Sequence, residues 1–192
     1  KDDRDQGFRP EASASEPGRG RCPGLSPGWL GTCGRIEGRS LSEVFLNEYS
    51  ADGLNLSSVL IERSRWEWVS LQLAQWSRTK VVGTELNDVD LSSSELRDVE
   101  FREGAWRGTR LDAADLKDVT FTNMQMEEVS FRGARFKKVR ILGSSCIRCD
   151  FRDAVFEESS LDGNFYNSYY NEGSVLPFPL DEIGIRHFRY IQ

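Results

Sequence analysis

Residues 84–123 read TELND VDLSS SELRD VEFRE GAWRG TRLDA ADLKD VTFTN when cut into fives. The third place of these blocks is Leu86, Leu91, Leu96, Phe101, Trp106, Leu111, Leu116 and Phe121. The first place is small or β-branched, from Thr84 and Val89 through Gly104 to Ala114 and Val119. Worked outward in both directions, the register holds from Leu41 to Tyr166, with an apolar or aromatic residue at every third place. Only 38% of the chain is hydrophobic, so a run this long without a break needs a structural cause. At the first place Met124, Cys149 and Asn164 fit least well.

A period of five is neither the 3.6 of a helix nor the 2 of a strand. A chain that turns a corner every five residues satisfies it, and four corners close a coil of about twenty residues. First- and third-place side chains then point inward and the other three places face solvent. Coils stacked through backbone hydrogen bonds at about 4.8 Å satisfy the main chain and bury a ladder of side chains. The run amounts to about six and a half such coils, a rod roughly 30 Å long. Residues 39–52 read as its first repeats. A capping helix starting at Ser40-Leu41-Ser42-Glu43 is the competing reading, but Leu41, Val44, Leu46 and Tyr49 keep the register.

The pattern resembles the pentapeptide-repeat family, whose motif is A(D/N)LXX. Ala114-Asp115-Leu116-Lys117-Asp118 matches it as written, and Thr84-Glu85-Leu86, Val89-Asp90-Leu91 and Cys149-Asp150-Phe151 match it with substitutions. The resemblance covers residues 39–168 and implies an all-β fold, a right-handed quadrilateral parallel β-helix solenoid. It implies little about activity, because one fold hosts many functions.

Two flanking segments complete the organisation. Residues 1–38 carry Pro10, Pro17, Pro23 and Pro27 with many Gly and Ser and no period, and read as an extended N-terminal arm. The arm opens on Lys1, which leaves a removed secretory signal or lipid anchor open. Its end, Ile36-Glu37-Gly38-Arg39, reads like a processing-protease site. Residues 169–192 lose the register but hold Val175, Leu176, Phe178, Ile183, Ile185, Phe188 and Tyr190. They are expected to cap the open end of the stack and to offer a homodimer contact.

Catalytic chemistry finds little footing. The single His187 sits in the expected cap, and no phosphate loop, dinucleotide fingerprint, nucleophile elbow or two-His metal motif occurs. No enzyme activity, metal or cofactor is expected. Cys146 and Cys149 form a CxxC spacing, but the register places one at a third and the other at a first place, both inward. The favoured reading is two small hydrophobes in the core, and the next is a disulfide across one corner. Cys22 and Cys33 read as a disulfide closing a short loop in the arm. That pairing tilts the expected location toward periplasmic or secreted rather than cytoplasmic.

The outward places suggest binding. Leu60, Trp68, Leu73 and Val82 form a candidate apolar patch, covered either by the arm through Trp29 or by a partner. Arg97, Lys117 and Lys137 stack as a column twenty residues apart. Arg132, Arg135, Lys137, Lys138, Arg140, Arg148 and Arg152 form a candidate basic patch. The formal charge of −6 is mild, and no stretch is apolar enough for a membrane span. A protein partner is therefore expected and nucleic acid is not. The reading is a non-enzymatic interaction or scaffold module, in a bacterial envelope or secretion-related setting. The family resemblance supplies two alternatives, a DNA-mimicking inhibitor of topoisomerase (gyrase) and an effector delivered into host cells. Mimicry needs a strongly negative rod, whereas residues 53–167 carry 19 Asp and Glu against 16 Lys and Arg.

Overall fold

A computed structural model describes residues 34–179 and 187–192. They form an all-β parallel solenoid of about seven turns. Each short strand pairs in parallel with the strand twenty residues on, as in Leu41↔Ile61, Trp76↔Leu96 and Leu116↔Phe136. Four sides follow from the four blocks per turn. The first side carries third-place residues Leu41, Ile61, Val81, Phe101, Phe121, Ile141 and Leu161. The second carries Leu46, Trp66, Leu86, Trp106, Met126 and Cys146. The third carries Ala51, Leu71, Leu91, Leu111, Phe131 and Phe151, and the fourth Ile36, Leu56, Trp76, Leu96, Leu116, Phe136 and Phe156. All of these are buried except Ile36, which is partly so.

The corners explain the spacing. At every fifth residue from Gly38 to Glu158 the backbone takes a left-handed conformation, with Asp88 at φ 52°, Ala113 at 55° and Asn123 at 53°. This conformation is costly for most residues, and at Gly38, Gly53, Gly83, Gly108, Gly133 and Gly143 the missing Cβ removes the cost. The first place tolerates Ser and Thr because their hydroxyls cap the backbone of the coil before. The Val44, Ala74 and Met124 amides donate to Ser64, Ser94 and Ser144 Oγ at 3.0, 3.1 and 3.0 Å. Inside, aromatic rings stack along the axis, with Phe101 on Phe121 at 5.0 Å, Phe131 on Phe151 at 5.1 Å and Phe136 on Phe156 at 4.1 Å.

The stack departs from the expected boundaries at both ends. Arg35–Glu37 already pairs with Asn55–Ser57, so residues assigned to the arm belong to the solenoid, and the apparent protease site lies within it. Near the other end the register slips by one. Ser144 pairs with Gly163 rather than residue 164, and a Cβ at Gly163 would stand 2.1 Å from the Ser144 carbonyl oxygen. The slip turns Phe165 into the core at 1% exposure and leaves Tyr166 at 48%. Tyr166 is therefore not a core residue, and Asn164 no longer occupies a first place. The twenty-residue spacing returns at Val155↔Val175. Ser168–Tyr170 then pairs with Phe188–Tyr190, and Phe188 packs on Phe165 and Phe151 at 5.5 and 5.7 Å, closing the core. His187 is exposed and stacks on Tyr166 at 4.7 Å.

Candidate interaction face

The second side carries an open trough of about 750 Å³. It arises from side-chain size. The outward column that precedes the third place runs Phe45, Arg65, Glu85, Ala105, Gln125 and Ser145, so Ala105 is a gap in the middle of taller neighbours. Arg65, Glu67 and Trp68 rise at one end of the trough, and Glu127 and Ile147 at the other. Arg65 pairs with Glu67 at 2.6 Å and with Glu85 at 3.6 Å, and Arg107 pairs with Glu127 at 2.7 Å. Arg148 closes the far end by bonding Glu128 at 3.0 Å and Glu127. Those two carboxylates raise its pKa further above the usual guanidinium range. Trp68 stands at the corner beside this trough with 61% of its surface exposed and φ at 55°.

The third side is a polar ladder. Asp90 is nearly buried and accepts from Arg110 Nη2 at 2.6 Å, Gln72 Nε2 at 2.7 Å and the Ser92 amide at 3.0 Å. Burial pushes its carboxyl up, but the bonds from Ser92, Gln72 and Arg110 outweigh this and hold it below the usual carboxylate range. Asp52 accepts from Ser70 Oγ at 2.6 Å and from the Gln72 amide at 2.9 Å, one coil earlier.

The residues singled out from the sequence are distributed differently from expectation. Leu60 and Val82 lie on the first side, Trp68 on the corner between the second and third, and Leu73 between the third and fourth, so the four make no single patch. The seven basic residues spread around all four sides. Five sit beside carboxylates: Arg132 on Asp150 at 4.0 Å, Lys137 on Glu157 at 3.5 Å, Lys138 on Glu158 at 3.9 Å, Arg152 on Asp150 at 2.9 Å, and Arg148 as above. Arg97, Lys117 and Lys137 do stack as a column. Cys146 and Cys149 are joined by a disulfide inside the core, where the favoured expectation had two thiols. Cys22 and Cys33 lie outside the described residues. Among the described residues no three His, Cys, Asp or Glu side chains converge as metal ligands, and no helix is long and apolar enough to cross a membrane. The trough itself went unseen in the sequence, though Ala105 among large outward residues at twenty-residue spacing is the signal that would have found it.

Geometry and register together define a four-sided β-solenoid of stacked five-residue repeats. Residues 94–133 match the family model for pentapeptide repeats, in eight copies. The inward places stay buried well beyond that segment, so the same five-residue pattern runs through the described solenoid on both sides of the matched repeats. No curated protein matches the chain in sequence. Among solved structures, full-length QnrB1, a plasmid-mediated fluoroquinolone resistance protein, is 13% identical over 79% of this chain and 93% of its own, with a TM-score of 0.37. Rfr23 from the cyanobacterium Cyanothece 51142 is 14% identical over 73% of this chain and 90% of its own, with a TM-score of 0.30. HetL from Nostoc sp. strain PCC 7120, involved in heterocyst differentiation regulation, is 16% identical over 73% and 84%, with a TM-score of 0.28.

Proposed function

We propose that this chain is a non-enzymatic interaction module that engages a protein partner through its second side. The observation that carries the reading is Trp68, a large aromatic 61% exposed beside an open trough. Exposed Trp beside a concavity rimmed by charged pairs is the chemistry of an interface anchor, where one aromatic often carries 2 kcal/mol or more. The trough is shallow and floored by Ala105 and strand backbone, which suits a protein surface better than an enclosed small ligand. The alternating Arg–Glu pairs of this side oppose DNA mimicry, which needs an uncompensated negative field. A buried disulfide fits an extracytoplasmic setting such as a bacterial envelope or secretion system.

The test is affinity capture from the source organism with the intact chain, Trp68→Ser and, on the first side, Leu60→Ser. A partner bound at least tenfold more weakly by the Trp68 variant and equally by the Leu60 variant supports the reading. A partner indifferent to Trp68 sinks it. Inhibition of gyrase supercoiling at low micromolar protein would replace it with DNA mimicry.

A further inference from the structure

The charges of the second side narrow the chemistry of its partner, on the reading that this side is the interface. Along the trough four carboxylates, Glu67, Glu85, Asp88 and Glu127, face two guanidinium groups, Arg65 and Arg107. Both arginines are already engaged, Arg65 by Glu67 and Glu85, and Arg107 by Glu127. Arg148 beyond them is held by Glu127 and Glu128. Asp88 is left over, and its carboxylate has no hydrogen bond or ion pair among the described residues.

The corner column decides what stands beside that carboxylate. Glu67 and Asn87 are partners in register, so Trp68 and Asp88 occupy successive corners, about 4.8 Å apart along the axis. Both take the same left-handed backbone, at φ 55° and 52°. The next corner is Gly108, where any Cβ would collide with Asp88 Oδ1. The carboxylate therefore lies over a glycine, and Asp88 stays exposed. Along this one corner an open indole is followed by an unpaired anion and then by a gap.

We propose that the corner formed by Trp68, Asp88 and Gly108 receives an arginine side chain projecting from the partner protein. A planar guanidinium lies on an indole face and turns its N–H fork to a carboxylate, so one group satisfies both features at once. The local excess of carboxylates draws a cation in, and arginine and tryptophan are the residues that dominate interface hot spots. A purely apolar partner group would cover Asp88 and leave its charge unpaired, which costs binding.

Amide-detected NMR of the full chain, titrated with N-acetylarginine amide, tests this, with N-acetylcitrulline amide as the neutral isostere. The arginine probe should shift the Trp68 indole N–H and the Asp88 and Gly108 amides saturably, with a Kd on the order of 10 mM. Residues 115–117 on the fourth side should not move. Asp88→Asn keeps the shape of the side chain and suits a left-handed corner, so the fold is retained. It should weaken the arginine probe about threefold or more, and the citrulline probe should produce no saturable shift. Equal shifts with the two probes, or arginine binding untouched by Asp88→Asn, would overturn the proposal. A captured partner provides the second arm, since Asp88→Asn should weaken it about fivefold or more. A partner lost on Trp68→Ser yet bound undiminished by Asp88→Asn would remove the arginine and leave the second side as the interface.

Discussion

Gly104→Ala tests the packing logic at its tightest point. Gly104 is a first-place residue of the second side, and its backbone lies outside the left-handed region, so alanine is not excluded by conformation. Space excludes it. A Cβ there would stand 2.7 Å from the Thr84 carbonyl oxygen and 3.0 Å from Met124 Cε. Elsewhere in this column the Val44, Ser64 and Met124 amides each donate to a hydroxyl of the next coil. Here the Gly104 amide donates to Met124 Sδ at 3.3 Å, so the longer thioether fits because the residue above it has no side chain. Forcing a methyl into such a contact costs about 2–3 kcal/mol, a Tm drop of about 4–12 °C at this chain length. The share due to Met124 is recoverable, because its methyl can swing away; the share due to the Thr84 carbonyl is not. Met124→Ala alone leaves a cavity worth about 2–4 kcal/mol. The double variant is therefore expected to fall short of the sum by about 1 kcal/mol. Denaturant unfolding of the four proteins measures this. Costs that add to within about 0.3 kcal/mol, or a neutral Gly104→Ala, would refute the pairing of Gly104 with Met124.

Two further outcomes follow from the outer positions. Leu73→Asn removes a branched side chain from a left-handed corner, where Leu73 is 64% exposed at φ 58°; thermal unfolding should show a gain of about 0.5–1 kcal/mol. Asp90 has a folded pKa below its unfolded value of about 3.9. Its contribution is therefore fully present above that pH and disappears as pH falls through the folded pKa. Asp90→Asn should cost about 1–3 kcal/mol at pH 7 and flatten the decline of Tm below pH about 4; an unaltered decline would show that other carboxylates govern it.

The inward side of the fold was legible because one repeated place must be apolar, and that constraint is local enough to read along the chain. Even its misfits carried information. Met124 is matched by Gly104, Cys149 by the bridge to Cys146, and Asn164 by the slip at Gly163. None of these causes was readable, because each depends on a residue in the neighbouring coil or across a corner. The slip shows this best. The sequence 161–166 keeps an apolar residue at both candidate positions, Phe165 and Tyr166, and only the close approach of Gly163 to Ser144 decides between them. The outer surface was less legible for the same reason. Leu60, Trp68, Leu73 and Val82 are close in coil number but not in side. The basic cluster lost its excess charge to carboxylates lying mostly one coil away, such as Glu157 and Glu158.

The corner geometry also says why Trp68 invites a partner. The fold does not ask for it. Other corners are filled by Gly, Asp, Asn, Ser, Glu, Lys, Arg and a single Ala, residues that tolerate φ near 55° or lie out in solvent. Trp68 and Leu73 are the two large apolar exceptions between Gly38 and Glu158, and each adds exposed apolar surface to a strained backbone. They share conformation and exposure but flank different sides, which makes Leu73 the matched comparison for Trp68. Loss of a partner on changing Trp68 alone confines the contact to the second side, over the Ala105 gap. Equal loss at both moves it onto the third side, across the Asp90 and Arg110 ladder, where binding would then weaken as that carboxylate is protonated.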